Sequence, residues 1–230
     1  MTLPVFTLVL EPAHPLQFSL PDARLSLAHG LLEYQALARD AIPAGQVIHR
    51  YPAIQCKQVK NDLVAIGICQ GAGFLRQLAD GHTEILTGIN ACTIVSRDAG
   101  IRDEEFGTGR MYDYEILTPW LALNQQNAKK FYDLKGKPAR DAFMQKILTS
   151  HLSNLAKSLD CPPADPVTCI PHVRFIRERI DRENIIVFLG KFRTNLCIPD
   201  YFGIGQQVSR GYGTIRKTVP DEPIAPGPSG

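Results

Sequence analysis

Six histidines are spread over 230 residues, and imidazole gives and takes protons near neutral pH because its ordinary pKa is about 6.5. His14 lies between Pro12 and Pro15, and His82 follows Gly81; both read as exposed loop residues. His151 falls in a lysine-rich helical stretch and His172 at a strand start, where surface or packing roles account for them. His29, in the run LAHGLLEY, and His49, in IHRYP, remain as candidates for proton transfer. Lys57 lies eight residues after His49. Strand alternation puts it on the same face as His49 and Tyr51, where an ammonium would neutralise developing negative charge. Tyr34, about one and a half turns beyond His29, is a candidate for orienting a substrate and equally a core residue.

A second chemical feature is the segment GIGQQVSRGYG, which sets Gly203, Gly205, Gly211 and Gly213 around Arg210 and runs on to Arg216 and Lys217. The spacing is not that of a dinucleotide fingerprint, and no lysine with a following hydroxyl residue completes a phosphate loop. Two readings fit. The glycines either form a tight connection with several positive-φ positions or let the backbone approach a polyanion closely.

The charge distribution bears on that choice. Net charge is only +2. However, residues Met1–Asn127 hold 9 Lys and Arg against 13 Asp and Glu, whereas Lys129–Val219 hold 16 against 8. A basic second half suits a polyanionic partner. Lys129, Lys130, Arg140, Lys146, Arg174, Arg177 and Arg193 are the candidate backbone track, and such contacts set affinity more than sequence choice. The cysteines show no CxxC pair, and Cys161, Cys169 and His172 lack a fourth ligand, so no metal or cofactor is expected. No apolar stretch approaches a membrane span and the N-terminus has no basic leader. A cytoplasmic protein with reduced thiols and no membrane partner is expected.

The elements that must position these residues follow a repeated order. Thr2–Leu10 reads as a strand, Pro21-Asp22 opens a helix with Leu27, Leu31, Leu32 and Leu37 at helical spacing, and Val47–Val59 and Leu63–Cys69 read as paired strands. A short helix over Gly71–Ala79 and a strand over Glu84–Ser96 complete a βαββαβ unit. The second half repeats it. Arg110–Leu117 is a strand and Leu121–Leu159 is helical, broken near Gly136 and Pro138, with Phe143, Ile147, Leu152, Leu155 and Leu159 as its apolar stripe. A hairpin over Thr168–Arg179 and Asn184–Arg193 follows, then a loop or short helix and a last strand over Ser209–Lys217. The expected fold is α+β, two tandem ferredoxin-like units over 1–100 and 108–219 divided in the polar stretch Arg97–Gly109, with a disordered tail over 220–230. Trp120 reads as a core anchor between the units.

Three stretches carry a resemblance: GIGQQVSRGYGTIR, IHRYPAIQCK with its continuation LVAIGICQGAGFLRQL, and YEILTPWLALNQQN. The chain resembles the CRISPR-associated repeat-RNA endoribonucleases of the repeat-associated mysterious protein superfamily, which are built from two ferredoxin-like units. The resemblance runs from about His29 to Lys217. It implies cleavage of a CRISPR precursor transcript within each repeat without a metal, by attack of a ribose 2′-OH that leaves a 2′,3′-cyclic phosphate and a 5′-OH. It also implies a general-base histidine early on the first helix, a position that His29 fits. The branch in question usually carries histidines between that helix and the RYP strand, and here the stretch reads ARDAIPAGQV. The proton carrier is then His29, His49 or neither. The implied partners are precursor and mature guide RNA. The alternative is an inactive RNA-binding subunit of a multi-subunit CRISPR effector complex. Both a monomer and a homodimer fit.

Overall fold

A computed structural model describes residues 1–12, 51–81, 94–180 and 183–218. The first predicted helix, the strand start before Tyr51 and the tail lie outside them, as do His14, His29, Tyr34, His49 and His82. In the first half, strands β1 (Thr2–Pro12), β2 (Ile54–Val59), β3 (Asp62–Ile68) and β4 (Ile94–Glu105) form an antiparallel sheet in the order β2-β3-β1-β4, with helix α1 (Gln70–Gly81) after β3. In the second half, β5 (Gly107–Trp120), helices α2 (Gln125–Asp133) and α3 (Lys137–Ser158), β6 (Cys169–Ile180), β7 (Glu183–Cys197) and β8 (Ile215–Thr218) build a sheet ordered β6-β7-β5-β8. Numbered within each half, both sheets run second, third, first, fourth strand. This is the ferredoxin-like order, and the fold is two such α+β units in tandem.

Alternation explains how β1 serves two cores. Phe6, Leu8 and Leu10 point to one face and pack with Cys56, Leu63, Ala65, Ala72, Leu75 and Ala79 beneath α1. Leu3 and Val5 point to the other face and join Val64, Ile66 and Ile68 in a cluster that continues into Tyr114, Ile116, Trp120 and Phe188 of the second half. One apolar core thus spans both units, and Trp120, fully buried, belongs to it. Burying such side chains is worth about 1.5–3 kcal/mol each before entropy is counted.

Three sequence expectations need correction. The strand expected over Glu84–Ser96 lies mostly outside the described residues, and the described strand β4, Ile94–Glu105, runs on through the stretch taken as a polar boundary. Its sequence IVSRDAGIRDEE carries little apolar alternation because β4 is an edge strand with exposed side chains from Arg97 to Ala99 and from Ile101 to Asp103. Pairing with β1 from Thr2↔Glu105 to Pro12↔Ile94 holds it. The buried stripe of α3 is centred on Met144, Leu148, Leu152, Leu155 and Ala156, with Phe143, Ile147 and Leu159 at its margin. The last strand is only Ile215–Thr218, and a single 3-10 turn, Val208–Arg210, precedes it. The glycine-rich loop therefore stands where a second crossover helix would lie. The helical break fell where expected, with Gly136 at φ +81 and Pro138 in the first turn of α3. Among the described residues no helix is long and apolar enough to cross a membrane.

Candidate functional site

The site forms where the front face of the first sheet meets the glycine-rich loop of the second unit. Lys57 pairs with Val64 and Gln55 with Ile66 across β2 and β3, so the two polar side chains share the sheet face that joins the common core. The Tyr51 hydroxyl bridges the first loop glycine, accepting the Gly203 N–H at 2.9 Å and donating to the Gly203 carbonyl at 2.8 Å. Its ring stacks on Phe202 with centroids 5.9 Å apart. Gln55 donates to the Pro52 carbonyl at 3.1 Å and accepts from Lys57 Nζ at 2.7 Å. A Cβ on Gly203 would lie 2.7 Å from Val208 Cβ and 3.2 Å from Gln55 Oε1. Only glycine lets the loop press this closely against β2.

Burial sets the electrostatics here. Lys57 is 1% exposed, and loss of hydration lowers its pKa to about 7, a shift that Cys56 opposes only in part. Its amine therefore holds a proton less firmly than an ordinary lysine. Burial pushes the Tyr51 phenol far above its ordinary range, against the pull of its hydrogen bonds to Gln55 and Gly203, so it stays protonated. A charge stabiliser must reach its phosphate, and in the unliganded fold Lys57 is covered.

The remaining glycines serve the loop's own architecture. Gly205 has φ +85, and a Cβ there would meet the Trp120 indole nitrogen at 2.5 Å and the Leu121 carbonyl at 2.8 Å. Gly213 has φ +65, and its Cβ would run into the Ile204 carbonyl. The amides of Gly203, Gly211 and Gly213 donate to Tyr51, the Val208 carbonyl and the Pro119 carbonyl respectively. Of the two readings of this segment, the tight connection describes these three glycines. Their N–H groups are engaged inside the protein, and a phosphate could use them only by opening the loop. Gln206 and Gln207 are exposed, and Arg210, half-buried, donates to Gln207 at 2.9 Å. Gly213→Val is expected to lower the melting temperature by roughly 5–10 °C, because it combines a left-handed backbone with a backbone clash. An unchanged melting temperature would refute this account of the loop.

Beside the loop lies a cleft of about 210 Å³ lined by Tyr51, His151, Asn154, Ser158, Gly203 and Gly205 among others. His151 takes the packing role and is half-buried. Its ring meets Trp120 edge-on at 5.7 Å, and burial lowers its pKa to about 4, which keeps it neutral. Among the described residues, the buried His151 Nδ1 and Trp120 Nε1 find no hydrogen-bond partner.

The other basic residues differ in exposure and partners. Lys129, Lys130, Lys146, Arg174 and Arg177 are exposed, while Arg140 is half-buried, with its guanidinium over the rings of Phe131 and Phe175. Arg193 is held by a bidentate pair with Asp113 at 2.9 and 2.8 Å, which holds that carboxyl below its usual range. Arg216 lies 3.6 Å from Glu115. These two arginines meet carboxylates already, so they offer less to a polyanion than their sequence positions imply. Sequence reasoning passed over Gln55 and His151. Alternation from Lys57 would have placed Gln55 on the same face, whereas no local signal announces the burial of His151.

Comparisons with known proteins fall on this frame. Residues 1–105 match the family model of the Cas6b N-terminal domain, and residues 107–218 match that of the Cas6b C-terminal domain. An uncharacterized protein of Methanocaldococcus jannaschii is 30% identical over 125 residues, 53% of this chain and 84% of that protein. A crystal structure of Cas6b superposes with a TM-score of 0.76 at 23% identity, covering 95% of this chain and 100% of the other. A second, of a CRISPR RNA processing endoribonuclease Cas6b, gives a TM-score of 0.71 at 24% identity with the same coverage. With both halves matched in order by the two domains of one family, the chain belongs to the Cas6b family.

Proposed function

We propose that this chain is an endoribonuclease that cuts CRISPR precursor transcripts within their repeats, using side chains rather than a metal. The observation that carries the reading is the junction of Tyr51, Gln55 and Lys57 with the glycine loop, in a chain of the Cas6b family. In this reaction the 2′-OH oxygen bonds to the adjacent phosphorus as the phosphorus–O5′ bond breaks, leaving a 2′,3′-cyclic phosphate. The proton of the 2′-OH passes to a base, His29 or His49, and the departing O5′ takes a proton to become a 5′-OH. Lys57, whose pKa burial lowers to about 7, supplies either that proton or positive charge to the phosphorane once RNA uncovers it. Tyr34 orients the ribose. Lys129, Lys130, Arg140, Lys146, Arg174 and Arg177 carry the RNA backbone, with Arg210 at the loop.

A second reading is favoured by the coverage of Lys57 and by the histidine-free stretch ARDAIPAGQV. In it the chain binds repeat RNA as a non-catalytic subunit of an effector complex. The two readings separate when pure protein is incubated in EDTA with cognate repeat RNA, beside the same RNA carrying one 2′-deoxy residue at the cut. Cleavage of the ribose substrate alone, with a cyclic-phosphate end, is the expected outcome. Tight binding with neither RNA cleaved would leave only the binding subunit.

A further inference from the structure

Helix α2 is capped by Asn124, whose side chain accepts the Asn127 N–H, and it buries Phe131. The next residue then points outward, and Tyr132 is 45% exposed. Strand β6 is an edge strand, and its Phe175, 41% exposed, meets the Phe131 ring edge-on at 5.4 Å. Between this strand and the corner joining α2 to α3 lies a depression of about 610 Å³. Its floor is aromatic and its rim is cationic, with Lys135, Arg140 and Arg174 around Phe131, Tyr132 and Phe175. Arg140 lies over Phe131 at 5.3 Å and over Phe175 at 5.9 Å, and Arg177 covers Tyr132 at 5.7 Å. The single lining carboxylate, Asp141, is already paired with Lys137.

Large rings left in water beside guanidinium groups are what a single nucleic-acid strand requires. Bases stack on the rings while cations meet the phosphates. A mainly cationic rim, whose one carboxylate is paired with a lysine, argues for a polyanion over a neutral protein surface. Position makes this a separate subsite. Strand β6 is one edge of the second sheet and β8, which follows the glycine loop, is the other, with β7 and β5 between them. At about 4.8 Å per strand the two edges lie roughly 14 Å apart. We propose that this depression is a base-stacking subsite for a single-stranded segment of the bound RNA, distinct from the part that meets the glycine loop. The inference rests on the RNA-binding reading and extends it to Phe175 and Tyr132.

The test compares wild type, Phe175→Leu and a Phe175→Ala, Tyr132→Ala double variant, each shown to be folded by thermal melting. Their affinity is measured for full-length repeat RNA and for the same RNA shortened stepwise from either end. Stacking predicts about a tenfold loss for the double variant on full-length RNA and a smaller loss for Phe175→Leu, which keeps apolar volume. The loss should vanish once the stacked segment is trimmed away, and the salt dependence should keep its slope because no charge is removed. Full-length affinity equal to wild type in both variants overturns the inference alone and assigns the patch to a protein partner. Wild-type protein that binds no repeat RNA overturns the functional reading and this inference with it.

Discussion

Replacing Lys57 with methionine is expected to slow single-turnover cleavage of repeat RNA by ~10²-fold or more while raising thermal stability at neutral pH. The two effects have opposite signs because one ammonium causes both. Folding buries Lys57 to 1% exposure and gives its Nζ the Gln55 oxygen as a hydrogen-bond partner at 2.7 Å, so the charged form loses hydration that one neutral amide cannot replace. Methionine fills a similar volume without that cost. The pH dependence carries the same signature. The folded pKa of about 7 lies below the ordinary lysine value, so between about pH 7 and 10 the unfolded chain holds a proton that the folded chain does not. Stability contributed by this site therefore rises with pH across that window, by on the order of a few kcal/mol, and is lowest at and below pH 7. The variant should melt higher than wild type near pH 7, and the difference should close toward pH 10. Cleavage at the wild-type rate would remove Lys57 from the chemistry. A pH-independent difference in melting would show that it is not the buried titrating group.

His29→Ala is expected to lower the single-turnover rate by ~10²-fold or more with little change in RNA affinity, since a general base contributes to the transition state rather than to binding. The proposal rests on the family resemblance, which implies a general-base histidine early on the first helix, and on the lack of histidine in ARDAIPAGQV. Near-wild-type cleavage by His29→Ala would pass the role to His49 or Lys57, and the same measurement on His49→Ala then decides between them.

Much of this protein could be read from its residues in order. The alternation of Thr2–Leu10, the hairpin over β6 and β7 and the break at Gly136 and Pro138 depend on neighbours a few positions away, and they were legible for that reason. The edge strand β4 was not, because eleven backbone pairs with β1, rather than an apolar pattern, hold it in place. The site divides in the same way. Alternation was expected to put Lys57 on the face of Tyr51, but β2 begins at Ile54 and Tyr51 stands before it; four glycines announced a backbone in close approach. What the backbone approaches was settled by residues far along the chain: Tyr51 grips Gly203 from 152 positions away, and Gly205 presses on Trp120. The protonation of Lys57 belongs wholly to the tertiary level. Hydrogen-bonding capacity and strand register are local properties of a sequence. Desolvation depends on which distant parts of the chain come to cover a side chain, and here burial lowers the pKa of Lys57 to about 7.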